Sequence, residues 1–441
     1  MSSKDLSQGH KEPLQRFALE QSASTEVMTL GTASAVAVAS KKAKRVLIIV
    51  ENLPVPFDRR VWSEATALSR AGYEVSVICP KGKGATQSFE VIDGIHIYRH
   101  WLPSEGNGFL GYLAEYSVAL FWEFILSFQI LLTRGFDAIH ACNPPDLIFL
   151  VGALFKYTLG KRFVFDHHDI NPELYEAKFG RRDFFWNVLR VFERLTFAVA
   201  DVSIATNQSY RSIAMERGKM PADRVFVVRS GPDLTRVRPL PPDGRWKNGR
   251  DYLVAYVGVI GKQEGLDLLL DSAVHIRNVR ARRDIQFVIV GNGPELDGIK
   301  ELAKRENIGD MITFTGRVDD RTLFTILSTA NVCVNPDRPN AMNDKSTMNK
   351  IMEYMAVGKP IVQFDLTEGR VTAGEASLYA RNHDTADFGD KILALLEDPD
   401  KCEKMGAAGC RAIREVLAWE HEEPKLLGAY ELLFGTFFKT A

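Results

Sequence analysis

Cysteine is scarce in this chain. The five residues, Cys79, Cys142, Cys333, Cys402 and Cys410, are odd in number and show no zinc-type spacing. That argues against a disulfide framework and a structural zinc site, and it suits reduced thiols in a cytosolic protein. An excess of one charge sign is missing too: the net charge of −1 offers nucleic acid no broadly basic surface. Long apolar runs are also lacking. The best, 117–132, carries Glu123 and Gln129 and stops short of the roughly 20 residues that span a bilayer. It reads as a helix buried under a sheet. Two nucleotide signatures are absent as well. There is no Walker pattern, and Gly291-x-Gly293 lacks the third glycine of a dinucleotide fingerprint because Leu296 stands in its place. No acidic residue ends the following strand, 312–315, which counts against a nicotinamide dehydrogenase.

What is present is an ordinary globular composition, 46% hydrophobic and 25% charged, in a chain of 441 residues, long enough for two domains. Residues 1–42 are rich in Ser, Ala, Gln and charge and read as a disordered tail. From Arg45 onward, strand, turn and helix repeat. The runs 46–50, 75–79, 95–99, 138–142, 162–167, 202–205 and 225–228 predict strands of a doubly wound parallel sheet. Residues 233–250, rich in proline and without period, read as a linker. The alternation then restarts with strands at 252–257, 285–290, 311–315, 332–334 and 361–364. The expected fold is α/β, with two Rossmann-like domains, 43–232 and 251–418, facing across a cleft. Ligands of such sheets sit beyond the carboxyl ends of the strands.

The stretch 343–366 organises the second half. Met348, Ile351, Met352, Met355 and Ala356 form the apolar stripe of a helix. Ser346 or Thr347 can cap its start, and Gly358 and Pro360 stop it. Lys350 and Glu353 are three apart and share a face near Asn349. A cation and a carboxylate so placed suit a phosphorylated sugar, the cation taking the diphosphate and the carboxylate the ribose hydroxyls. A surface ion pair is the equally open alternative. Gly258, Gly261 and Lys262 follow one strand, and Gly291 and Gly293 follow the next. Such loops bring backbone N–H groups and a helix end to phosphate. In the first half, Asp166-His167-His168-Asp169 ends a strand. Neighbours on a strand point to opposite faces, so the four do not converge on one metal ion. His140 reads as a core or cleft-edge residue, and Asp398-Pro399-Asp400 as a turn.

The order of these motifs resembles the retaining, nucleotide-sugar-dependent glycosyltransferases of family 4, with the GT-B fold. The stretches that carry it are VLIIVENLPVPFDRRVWSEATALSRAGYEVSVICP, FDHHDINPELY, TNQSYRSIAMERG and VVRSGPDL before the linker. After it come YVGVIGKQEGLDLLLDSA, FVIVGNGPEL, ITFTGRV, NVCVNP and NKIMEYMAVGKPIV. They run from about residue 44 to the C-terminus and point most to the polysaccharide- and O-antigen-assembly branch. The resemblance implies transfer of a sugar from a UDP- or GDP-sugar to a hydroxyl of a glycan or polyprenyl-linked acceptor, with retention and without metal or other cofactor. It implies a donor site of Gly258, Gly261, Gly291, Gly293, Lys345, Asn349 and Glu353, with Lys262 and Lys350 on the diphosphate. Asp58, Arg59 and Arg60 form a loop closing over the phosphates, and His168 and Asp169 lie near the reaction centre. A last helix, 419–441, crosses back to the first domain.

Two departures from the family stand out. Lys345 occupies the place of the first Glu of its Glu-x7-Glu motif, with Asp344 beside it as a partial substitute. Val259 and Glu264 replace a loop Arg and Lys. The rival expectations are a degenerate nucleotide-sugar-binding protein and an epimerase of the same fold. Finally, 181–200 mixes Arg181, Arg182, Arg190 and Arg194 with Phe184, Phe185, Trp186, Leu189, Phe192 and Leu195. Such a helix lies on an anionic membrane or packs on the first sheet with its arginines in solvent. The resemblance favours the former, and with it a cytoplasmic protein held peripherally at the inner face of the membrane.

Overall fold

The computed structural model describes residues 43–102 and 108–435. The expected tail, 1–42, and the end of the last helix lie outside them. Two sheets organise the chain. The first half contains β1 (Arg45–Ile49), α1 (Arg59–Arg70), β2 (Glu74–Pro80), β3 (Phe89–Ile92), β4 (Ile95–His100), α2 (Gly108–Thr133) and β5 (Ala138–Cys142). It continues through α3 (Phe149–Leu159), β6 (Arg162–His167), α4 (Asn171–Phe179), α5 (Phe184–Val199), β7 (Val202–Ala205), α6 (Gln208–Glu216) and β8 (Val225–Val227). Its strand order is β3-β4-β2-β1-β5-β6-β7-β8, parallel except for β3 against β4. β1 is central, with Val46 opposite Val75 on one side and Ala138 on the other. Burial on both faces accounts for its unbroken aliphatic run.

The second half holds β9 (Tyr252–Val257), α7 (Leu266–Asn278), β10 (Ile285–Val290), α8 (Leu296–Arg305), β11 (Ile312–Gly316), α9 (Asp320–Thr329) and β12 (Val332–Asn335). Then come α10 (Asn349–Ala356), β13 (Ile361–Phe364), α11 (Thr367–Ala373), β14 (Ser377–Ala380), α12 (Thr385–Leu396), α13 (Pro399–Ala412) and α14 (Trp419–Phe434). The sheet order is β11-β10-β9-β12-β13-β14, all parallel. Both sheets place helices on either face, so the architecture is two doubly wound α/β layers, as in GT-B proteins.

Two chain segments pass between the sheets side by side. A Cβ on Gly231 would stand 2.3 Å from the Leu417 carbonyl oxygen, so only glycine fits the crossing. α14 then packs Trp419, Leu426, Ala429, Tyr430 and Leu433 into the apolar core around β1 and α1. Residues 233–250 are not a loose connection: Val237 is buried, Leu240 and Trp246 pack with α9, and Leu240 N–H donates to Ser328 Oγ at 2.9 Å.

α2 corrects the reading of 117–132. The helix is 26 residues long, and its segment 116–133 is long and apolar enough to cross a membrane by length and composition, with 22% of that window buried. Ala119, Glu123, Ser127 and Ile130 face inward, while Phe121, Ile125, Phe128 and Leu132 are exposed. Apolar residues surround the helix on all sides, so no period in the sequence marked which side packs.

Candidate functional site

α10 is set into the second sheet by Tyr354. Its hydroxyl accepts from Val257 N–H at 2.9 Å and donates to the Val334 carbonyl at 3.2 Å. Four residues of the predicted stripe, Ile351, Met352, Met355 and Ala356, are buried, and the fifth, Met348, is half-buried just ahead of the helix. The predicted cap is not made. The N-cap residue is Met348, without a side-chain hydrogen bond, because Thr347 Oγ1 accepts instead from Asn207 Nδ2 and Arg229 Nη1 of the first domain.

Lys350 and Glu353 share the face but not a bond with each other. Lys350 Nζ is 2.7 Å from Asp337 Oδ1, with Asp337 buried, and stands over the Tyr256 ring at 4.8 Å. Asp337 lies just past the carboxyl end of β12. Burial pushes its carboxyl up, and Lys350 pulls the other way. Glu353 Oε1 is 3.6 Å from Arg59 Nη1 and 4.0 Å from Arg236 Nη2. Burial raises its carboxyl, opposed by those two guanidiniums. Arg59 and Arg236 also hold Asp320, at 2.5 and 3.1 Å. Arg59 thus reaches from the first domain to the front of α10. Asn349 opens that helix beside them.

The glycine loops are packed against one another. A Cβ on Gly291 would stand 1.8 Å from the Gly258 carbonyl, one on Gly293 2.3 Å from that of Ile260, and one on Gly258 2.7 Å from the Tyr256 hydroxyl and 3.6 Å from Lys350 Nζ. Close approach to backbone requires glycine at 291 and 293, and at 258 it is the Tyr256 hydroxyl that leaves no room for a side chain. Glu264 folds back over Gly261, with Oε2 2.7 Å from where a Cβ would be. Burial first, and then Asp337, raise its carboxyl, while Lys350 lowers it. Lys350 is thus faced by two acids, an arrangement the sequence did not reveal. Lys262 is exposed.

Lys262 and Gly261 line a cavity of about 740 Å3 together with Arg338, Glu295 and, from α4 of the first domain, Glu173 and Glu176. It is the part of the cleft between α4 and the loop after β9, and Lys350 and Glu353 do not line it. Lys345 reaches across the same boundary, its Nζ 3.5 Å from Glu173 Oε1. Asp344 does not stand in for the missing Glu: its carboxylate accepts from Thr367 N–H and Oγ1 at the start of α11. Arg338, absent from the sequence expectations, pairs with Asp267.

In the first domain the loop residues separate in role. Asp58 caps α1, accepting from Val61 N–H at 3.1 Å. Arg60 turns away from the phosphate side and into the interior. Its Nη2 is 2.8 Å from Asp166 Oδ1 and 3.1 Å from Glu64 Oε1, and its Nε is 2.9 Å from His168 Nε2. This corrects its placement in a phosphate loop: buried carboxylates outcompete solvent for a buried guanidinium. His168 Nε2 also bonds Asp166, whereas His167 points to the opposite face among Phe165, Phe197 and Tyr210. Burial pushes Asp166 up, but Arg60 and His168 outweigh it and hold the carboxyl well below its usual range. The backbone N–H groups of His168 and Asp169 both donate to Asn143 Oδ1, at 2.7 and 3.1 Å. Burial raises the Asp169 carboxyl.

Glu64, His140, Cys142 and Asp166 bring ligand-type atoms within 4.8 Å of one another. Arg60 already stands against both carboxylates, and His140 Nδ1 is 2.8 Å from the Tyr430 hydroxyl of α14. Burial keeps His140 below its usual range. Asp398 caps α13 through Lys401 N–H, as a turn residue.

Comparisons place these features among known proteins. Residues 58–236 match the family model described as Glycosyltransferase Family 4, and 251–398 match Glycosyl transferases group 1. The chain is 28% identical over 259 residues to D-inositol 3-phosphate glycosyltransferase of Nocardia farcinica, covering 56% of this chain and 55% of that protein. It is 25% identical over 253 residues to a GDP-mannose-dependent alpha-(1-6)-phosphatidylinositol monomannoside mannosyltransferase of Mycobacterium tuberculosis, covering 55% and 65%. The matched part thus spans somewhat over half of each of these relatives. Sucrose-phosphate synthase of Thermosynechococcus elongatus has the same fold, with a TM-score of 0.75 at 20% identity, over 89% of this chain and 99% of that one.

Proposed function

The chain belongs to glycosyltransferase family 4, and from that premise we propose that it moves a sugar from a nucleoside-diphosphate sugar to a hydroxyl of a glycan or lipid-linked acceptor. The observation that carries the reading is the front of α10, where Lys350 and Glu353 share a face beside the glycine loop at the carboxyl end of β9. Glu353 accepts the ribose hydroxyls. Lys350 and Lys262 answer the charge that builds on the departing diphosphate, a preorganised electrostatic effect that needs no metal. The acceptor hydroxyl approaches from the side of His168 and Asp169. Retention proceeds by attack on the face the diphosphate leaves, with the diphosphate helping to take the proton. The mannosyltransferase relative named for a phosphatidylinositol monomannoside supports a lipid-linked acceptor; we further propose a role in surface-glycan assembly at the cytoplasmic face of the membrane.

A second reading, binding without turnover, has one observation in its favour: Asp337 and Glu264 already face Lys350. Labelled UDP-, GDP- and ADP-sugars, each with a lipid extract of the source membranes, separate the two. Transfer predicts label in the lipid fraction and diphosphate release that needs both donor and extract, with the anomeric proton of the product reporting retention. Binding of a nucleotide with no release from any donor supports the second reading.

A further inference from the structure

The turn that starts α6 reaches across the domain boundary to the segment that enters α10. Asn207, buried just past β7, caps α6 by accepting from Tyr210 N–H at 2.8 Å. Both of its donor hydrogens serve the other domain: Nδ2 is 2.8 Å from the Lys345 carbonyl and 3.1 Å from Thr347 Oγ1. Arg229, just past β8, brings Nη1 to 3.3 Å from the same Thr347 oxygen. The Tyr210 hydroxyl lies 3.0 Å from Ser346 Oγ, which itself donates to the Met342 carbonyl. Ser346 and Thr347 are the side chains able to cap α10, and both are engaged elsewhere. A hydroxyl oxygen has two lone pairs, and those of Thr347 go to the two donors from the first domain. Met348 supplies no side-chain cap, so α10 begins uncapped, with Ile351 N–H falling back on the Met348 carbonyl at 3.0 Å.

We propose that Asn207 and Arg229 are positioning residues for the donor helix, acting from the first domain through the Thr347 hydroxyl. Held by them, the hydroxyl fixes the entry to α10 directly ahead of Asn349 and Lys350. Released, it turns to cap α10, accepting from the first-turn N–H groups that a helix start leaves unsatisfied. The two arrangements exclude each other, because the same lone pairs serve both. A side chain needed only for α6 would use the Asn207 oxygen alone, whereas here the amide nitrogen does separate work across the boundary. The inference rests on α10 as the donor site and assigns its control to residues that touch no ligand. Domains joined by a few polar bridges move relative to one another by default. A nucleotide held between Glu353 and Arg59 favours the joined arrangement, and the Thr347 cap favours the parted one.

The test uses Asn207→Ser, which keeps an oxygen for the α6 cap and is too short to reach Thr347. Hydrogen exchange of the Asn349 and Lys350 amides is followed in the full chain without ligand. The expected result is exchange several-fold slower in Asn207→Ser than in wild type, returning to the wild-type rate when Thr347→Val is added. A contact of merely structural importance would give faster exchange there. UDP, GDP and ADP are then titrated by calorimetry. The diphosphate that binds wild type is expected to bind Asn207→Ser and Thr347→Val about tenfold more weakly, and the double variant no weaker than the single ones, because the two residues act as a unit. Thr347→Ser, which restores the hydroxyl, keeps wild-type affinity. Should Asn207→Ser fail to fold, Thr347→Val against Thr347→Ser decides by affinity. Exchange unchanged or faster in Asn207→Ser, or equal affinity of Thr347→Val and wild type, would overturn the inference. If none of the three diphosphates binds wild type, the transferase reading falls instead, and the exchange rates still decide the positioning role.

Discussion

Lys350 carries its charge into a site where two carboxyl groups already face it. Removing a buried cation strands its partner, so Lys350→Ala is expected to cost about 3–5 kcal/mol in urea unfolding. Glu353→Ala, which loses only longer pairings to half-exposed guanidiniums, should stay within about 1 kcal/mol of wild type. Glu264 is expected to oppose a diphosphate. Its carboxyl is raised by burial, so it loses charge as pH falls, and nucleotide binding should tighten toward acid. Glu264→Gln should flatten that dependence and strengthen binding about tenfold at pH 8, roughly 1.4 kcal/mol.

Glu123 titrates the stability of the fold itself. Its carboxylate has no hydrogen-bond partner among the described residues, and burial pushes it up to about 8 from 4.5. A carboxyl raised on folding stabilises fully below its unfolded value, and that contribution is lost as pH climbs to the folded one. Asp146, at about 6, and Glu193, at about 7, act in the same direction. Below pH 6.5 buried His167, lowered to about 3, acts the opposite way, so the carboxyl effect stands clear only above pH 7: melting temperature should fall from pH 7 to 8, and Glu123→Met should remove that fall.

The elements differ in how much of them the sequence betrayed. Continuous β-branched runs disclosed the central strands of both sheets, because burial on two faces leaves no room for polar residues. β3 and β14 escaped notice: β3 is an alternating antiparallel edge, half exposed, and β14, Ser-Leu-Tyr-Ala, is the other sheet's edge and has no β-branched run. The stripe of α10 was legible because one face meets the core, but its start was not. Ser346 and Thr347 have bonding partners in another domain, and such partners leave no local signal. Arg60 and Glu64 stand four apart in sequence, yet nothing nearby announced that both turn inward. Asp337 was within reach of inspection, since it follows a strand at its carboxyl end. The glycines were legible as loop formers, whereas the contact between loops was not. Gly291, at φ +144°, meets the Gly258 carbonyl, so Gly291→Ala should destabilise by about 1–3 kcal/mol and abolish nucleotide binding together, measured by melting and by titration.

Across the whole molecule, the two domains meet through a few specific bridges. Arg59 links α1 to Glu353 and Asp320, Lys345 meets Glu173, and Ser209 Oγ donates to Glu368 at 2.6 Å. α14 returns from the second domain to the first and touches His140, so the hinge ends beside the network that orients His168. The donor site on α10 and the turn at His168 therefore belong to different domains. The front of α10 is where the proposal is most exposed to refutation. Melting temperature would be recorded with UDP, GDP, ADP and CMP, for wild type and for Glu353→Ala. Ligand that binds only the folded state raises stability by mass action. The account predicts a shift with one nucleoside diphosphate, lost in Glu353→Ala although that variant melts close to wild type alone. No shift with any of the diphosphates, or one that persists unchanged in the variant, would contradict it.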